Sequence, residues 1–155
     1  MAELVGQGPV AHHQGTSAID TSAKVPVGTK AKDRSGNEFI YLQGVASTAA
    51  GSWVTFDEGG LTTLLAANAV GPVAIAMAAT VANTFGWYQI DGVNTIASTD
   101  TVAADVACYI DGTAGRADDA VVTGDLIVGA MTRTSDTANV ATVQISRPFV
   151  TNVLG

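Results

Sequence analysis

The sequence predicts an all-β fold, a small β-barrel or sandwich of about eight to ten short antiparallel strands behind an extended N-terminal arm. Three observations carry that reading. Charged residues make up only 14% of the 155, where an ordinary domain has about a quarter, so little Glu and Lys is left to cover exposed helices. Apolar residues account for 47% and are spread along the chain, which argues against disorder. Turn residues recur about every 8–12 positions between short β-branched or aromatic runs. The length suits a single core, which needs roughly 100–150 residues, with an arm attached. The division expected is an arm over residues 1–27 and a β-domain over residues 28–155 that ends in a short tail.

The arm is read from interruption. Gly6, Gly8, Pro9 and Gly15 break any period, and Leu4, Val5, Val10 and Ile19 are too scattered to face a core. Those four apolar residues are candidates for contact with another subunit. His12-His13 reads as a solvated loop, because no neighbouring carboxylate or sulfur completes a metal or catalytic set.

Strands follow from Val25. Residues 28–33 and 38–43 flank Arg34-Ser35-Gly36-Asn37, a hairpin signature in which Gly and Asn tolerate positive φ. Residues 52–57 form the next strand, and 61–68 a helical turn or a short strand. The run 73–79 alternates large with small side chains, as a closely packed face requires. Residues 84–90 are aromatic and β-rich, and Asp91-Gly92 is expected to turn the chain into a strand over 93–97. Strands are expected over 104–110, 124–131 and 139–145, with loops at 111–119 and around Ser135-Asp136. The tail from Arg147 should not continue a central strand, since Pro148 lacks an N–H.

Charge and motif content exclude several functions. With 14 acidic and 7 basic residues the net charge is −7, so no basic face exists to neutralise phosphates, and nucleic-acid partners are not expected. No run of about 18 apolar residues suggests a membrane span; the most apolar stretch, 70–82, is broken by Pro72. Glu3 stands where a secretory leader needs positive charge, which predicts synthesis and retention in the cytoplasm. The single cysteine, Cys108, permits no internal disulfide and reads as a packed thiol.

Nucleophile chemistry wants a histidine base, and both histidines lie in the arm. There is no HExxH, CxxC or phosphate-cradling glycine loop. No catalytic, cofactor-binding or metal-binding residue is therefore assigned, no cofactor is expected, and the chain does not read as an enzyme. Asp91, Asp100, Asp105, Asp111, Asp118, Asp119, Asp125 and Asp136 read as turn or surface residues, because Asp side chains accept from nearby backbone N–H groups. The Asp118-Asp119 pair fits no calcium loop, and strand neighbours point to opposite faces.

The aromatic group Trp53, Phe56, Phe85, Trp87 and Tyr88 admits core packing, a carbohydrate-stacking face or a subunit interface. Alternation puts Trp87 and Tyr88 on opposite faces, so one core cannot hold both and one must meet solvent or a partner. Trp53, Trp87, Tyr88 and Phe149 therefore join the arm residues as candidate interface positions. Edge strands with so few charges are poorly guarded, and self-association would protect them.

The order of motifs Gly28-Thr-Lys-Ala, Gly36-Asn-Glu-Phe-Ile-Tyr-Leu-Gln-Gly44-Val-Ala and Gly51-Ser-Trp-Val-Thr-Phe-Asp57 resembles the small decoration (cement, head-stabilising) proteins of tailed-phage capsids. The runs 73–79, Gly86-Trp-Tyr-Gln-Ile-Asp-Gly92 and 140–150, with Arg147-Pro-Phe-Val near its end, extend the likeness over roughly residues 25–150. The resemblance implies a β-rich homotrimer without enzyme activity or cofactor. It implies a place on the exterior of the virion's capsid, at local three-fold positions between major capsid proteins, after synthesis in the host cytoplasm. It also implies an N-terminal segment that reaches into the lattice. The alternatives are another phage structural module (tail, head-completion or fibre) or a carbohydrate-binding module stacking sugars on Trp53 or Trp87.

Overall fold

The computed structural model describes residues 3–6 and 12–153. Among these there are thirteen strands and no helix. In chain order they are β1 (Glu3–Gly6), β2 (His12–Gly15), β3 (Ile19–Asp20), β4 (Lys30–Asp33), β5 (Glu38–Gln43), β6 (Trp53–Phe56) and β7 (Thr62–Leu64). There follow β8 (Gly71–Ala76), β9 (Phe85–Ser98), β10 (Ala107–Ile110), β11 (Ala117–Asp118), β12 (Leu126–Thr132) and β13 (Val140–Val150). Strands outnumber the eight to ten expected because β3, β7 and β11 are only two or three residues long, too short to leave a periodic signal. The ambiguous residues 61–68 contribute β7.

The strands form one antiparallel sheet in the order β11-β10-β12-β13-β8-β9-β5-β4-β1-β2, with β3 on β9, β6 on β8 and β7 on β6. The path has two ends and does not close. Residues 1–2, 7–11 and 154–155 of the chain lie outside the described part. Within the expected arm, β1 pairs with β4 and β2 pairs with β1, which adds a hairpin to one end of the sheet.

The β4–β5 hairpin forms where expected, and its turn is held by Asp33. The carboxylate accepts from the backbone N–H groups of Ser35 (2.9 Å) and Asn37 (3.0 Å) and from the Asn37 side-chain amide (2.8 Å). Such bonds give an otherwise unpaired turn backbone its partners.

Two expectations fail for one physical reason. Asp91-Gly92 is not a turn: β9 runs straight through it and changes partners there. Residues 85–91 pair with β5, and 91–98 pair with β13. Gly92 has φ +103°, and a Cβ on it would stand 2.0 Å from the Asn37 Oδ1 atom, so the glycine serves a bend against a neighbour. Likewise Pro148 does not end β13. Residues 140–146 pair with β9 and 149–150 with β8, which leaves Arg147-Pro148 at the change of partner, where no ladder N–H is required. Against β12, Phe149 stands opposite Val128 while Ile145 stands opposite Ala130, so β13 bulges by two residues at this point.

Three buried clusters hold the sheet together. Trp53, Val73, Ile75, Ile127, Val143 and Ile145 belong to the largest. A second contains Phe39, Tyr41 and Trp87, and a third contains Ile40, Leu42, Val54 and Tyr88. Strand β5 thus sends Phe39 and Tyr41 to one side and Ile40 and Leu42 to the other, and both sides are covered. The expectation that Trp87 or Tyr88 must meet solvent is overturned: they do face opposite ways, but each finds its own core.

Gly129 sits across from the β13 bulge at φ +81°, and a Cβ there would come within 2.7 Å of the Ser146 carbonyl oxygen, a backbone atom. Gly129→Ala is expected to destabilise the fold by about 2 kcal/mol or more, from positive-φ strain plus displacement of the bulge. Urea unfolding at fixed pH measures it.

Candidate functional site

The chemistry-bearing residues are occupied structurally. Cys108 is fully buried, and burial, with Asp118 and Asp119 adding to it, pushes its thiol up to about 12, so no thiolate is available at neutral pH. The aspartates accept from backbone N–H groups: Asp111 caps its own turn at Thr113, while Asp119 ties to Ala103, Asp125 to Asn68 and Asp136 to Val102 across distant segments, at 2.8–3.1 Å. Asp105 pairs with Arg133 at 2.9 Å. Among the described residues no group of three His, Cys, Asp or Glu side chains converges as a metal ion would need. Backbone strand β2 carries His12 and His13, whose side chains lie outside the described part.

The candidate interface residues divide sharply. Trp53 is buried, and its indole N–H donates to the Ser98 carbonyl at 3.0 Å. Trp87 is buried against Tyr41, with ring centroids 5.1 Å apart and planes inclined at 59°. Tyr88 is buried with its hydroxyl against that of Thr80, and burial raises its pKa. None of the three reaches a partner, because the two-sided core consumes them. The sugar-stacking platform proposed for Trp53 or Trp87 goes with them. Leu4 and Val5 lie on β1, opposite Asp33 and Lys32 of β4, and Val10 falls outside the described residues. Ile19, on β3 opposite Gly86, is 46% exposed, and Phe149 is 41% exposed.

Phe149 is the one exposed residue among the nine aromatics. It stands opposite Val128 of β12 on one side and Pro72 of β8 on the other. Directly opposed residues share a face, so Val128, Phe149 and Pro72 form an apolar row across three strands. Their neighbours Ile127, Val150 and Val73 point the other way into the largest core. Two grooves adjoin the row, and Phe56 and Pro72 line both. The first, about 250 Å³, is bordered by buried Ile40, Val73 and Ile90 and by two cations, Lys30 and Arg147. The second, about 360 Å³, carries Asp57 and Glu58 beside exposed Leu61 and Val70. Arg147 donates to the carboxylate of buried Glu38 at 2.7 Å and keeps more than half of its own side chain in solvent.

Sequence reasoning found Phe149 and missed the rest of this surface. Pro72 is the available signal: a proline inside an apolar strand marks a position with no ladder N–H to give, and it lines the first groove together with the second such proline, Pro148. Lys30, Glu58 and Val70 carry no sequence mark of their own. Compared with protein-family models, curated proteins and solved structures, the chain matches none.

Two measurements test this assignment. Trp87→Ala should cost about 3–5 kcal/mol of stability, the usual penalty for removing a large buried ring, and chemical denaturation would expose a merely superficial tryptophan by a far smaller loss. The second concerns Asp118, whose carboxyl is raised from 3.8 to about 6 by burial, with Asp111, Asp119 and Asp100 adding repulsion. A raised carboxyl favours the protonated fold, so its contribution is complete below about pH 4 and disappears as pH climbs through 6. Asp118→Asn should therefore match wild type near pH 4 and exceed it at pH 7.5 by on the order of 1 kcal/mol, the half-exposed site screening the rest. Parallel thermal melts at the two pH values give the comparison.

Proposed function

We propose that this chain is a structural virion protein that decorates the outside of a tailed-phage capsid, as a homotrimer bridging major capsid proteins. The observation that carries the reading is the outward apolar row of Val128, Phe149 and Pro72, on a domain that buries its tryptophans and uses its aspartates as backbone acceptors and ion-pair partners. A surface of that kind suits lasting contact with protein better than turnover of a small molecule. Burial of both faces of the central strands supports a sandwich-like arrangement as the finer form of the fold.

A decorating protein stabilises a shell by mass action, since it binds assembled lattice and not separated subunits. Several attachment points on one oligomer turn weak contacts into firm attachment. The terminal hairpin of β1 and β2 extends the sheet at its end, with the outer edge of β2 unpaired in the described chain. Exposed strand edges accept further strands, which suits residues 1–14 to reaching the lattice.

Purified protein is mixed with undecorated heads, and binding is read by co-sedimentation and by the temperature at which the heads rupture. Stoichiometric binding, in hundreds of copies per head, with a raised rupture temperature is expected. Removing residues 1–14, which spares β3, should leave a folded protein that no longer coats heads. Binding in a few copies, or to tails only, would replace this reading with a tail, head-completion or fibre role.

A further inference from the structure

We infer that the two grooves sharing Phe56 and Pro72 dock neighbouring copies of this chain head to tail, the cationic groove of one against the carboxylate groove of the next, as closing a ring of three requires. The inference rests on the self-assembling role proposed above and gives it a specific surface.

The charge arrangement carries it. Only seven residues of the chain are basic, and two of them, Lys30 and Arg147, line the first groove. Asp57 and Glu58 line the second, on the far side of the shared Phe56–Pro72 wall. Chains of net charge −7 repel one another, so an association face must set cations against carboxylates. One surface here offers both signs across an apolar divide. Among the described residues Lys30 and Glu58 have no ion-pair partner within the chain, so both are free to find one outside it. Arg147 is already tied to Glu38 and serves to fix the groove's shape.

The apolar part fits the same occupant. Val70 is 69% exposed, Leu61 46% and Phe149 41%, so three large side chains stand in water around these grooves. A neighbouring copy docked at each groove would cover them with side chains of its opposite groove. The centre would then be apolar and the rim charged, as in stable protein contacts.

Charge reversal tests the pairing, because Lys30, Glu58 and Val70 are all exposed and their replacement leaves the cores alone. The mass of the full-length protein is followed by sedimentation equilibrium over a wide concentration range. Lys30→Glu and Glu58→Lys should each weaken self-association about tenfold or more, and Val70→Asp should abolish it. The double variant K30E/E58K, with both signs exchanged, should return to within about threefold of wild type. Added salt should weaken the wild type.

A wild type that stays monomeric, or single reversals that keep its mass, would overturn the inference. If the wild type is monomeric but Val70→Asp still loses capsid binding, the face belongs to the capsid protein and self-docking is wrong while decoration survives. Self-association with charge-swap rescue but no binding to heads would uphold the face and discard the decoration role.

Discussion

The bend of β9 at Gly92 is the constraint on which the other elements depend. A strand of fourteen residues that keeps one partner on each side would give a flat sheet with one buried face. Here residues 85–91 run beside β5, and 91–98 run beside β13. Past Asp91 the edge that faced β5 has no further ladder partner there, and buried amides serve the backbone around the bend. Gln89 donates to the carbonyls of Asp91 (3.1 Å) and Val93 (3.2 Å), while Asn94 donates to the Gln89 side chain (2.9 Å) and accepts from Ile96 N–H (2.9 Å). Both amides are almost fully buried, so leaving such backbone groups unpaired would cost about 1–3 kcal/mol each.

The bend is also keyed to a distant turn. Asp33 holds Asn37, and the Asn37 Oδ1 atom accepts from Val93 N–H at 3.1 Å, over the spot that Gly92 leaves open. The hairpin and the bend therefore specify one another. A second tie runs from the start of the chain: the Tyr41 hydroxyl donates to Asp20 at 2.6 Å and accepts from Lys24 N–H at 3.2 Å. Burial and the Asp20 carboxylate push that phenol up to about 12, so it remains a donor at any physiological pH. This pins β3 beside Phe85 and Gly86 and closes the side of the core that holds Trp87.

Local signals were readable in the sequence where local physics decides. Strand β5 falls on residues 38–43 as expected and the Asp33–Asn37 turn forms, but of the second-half aspartates only Asp111 and Asp118 cap local turns, while Asp119, Asp125 and Asp136 tie distant segments together. What could not be read is pairing. Asp-Gly has the same appearance whether the chain reverses or only bends, and the difference lies in β5 and β13, which hold β9 from opposite edges at Asp91. Alternation places Trp87 and Tyr88 on opposite faces, as they are, but a period-two pattern says nothing about whether one face or two will be covered. Thr62–Leu64 is three residues long and exists because β6 lies beside it. The interaction surface was legible at Phe149 alone, since its other members come from strands far apart in the chain.

The placement of Phe149 follows from the same kind of bend. Along β13 the buried positions run Ala141, Val143, Ile145 and then Pro148 and Val150, so the alternation slips by one at Ser146–Arg147. Strand β12 slips beside it, from buried Ile127 to buried Ala130 across Gly129. With an unbroken period of two, Phe149 would lie inside and Val150 outside. The paired irregularity exchanges them: the smaller Val150 fits the core next to Val73, and the phenyl ring goes to the surface beside Pro72. Arg147, at φ +41°, is swung by the same slip to buried Glu38, which puts a cation next to the groove. The backbone device that lets β13 change partners thus also builds the outward apolar row and its charged border. A substitution that straightened β13 would return Phe149 to the core and dismantle the surface with it.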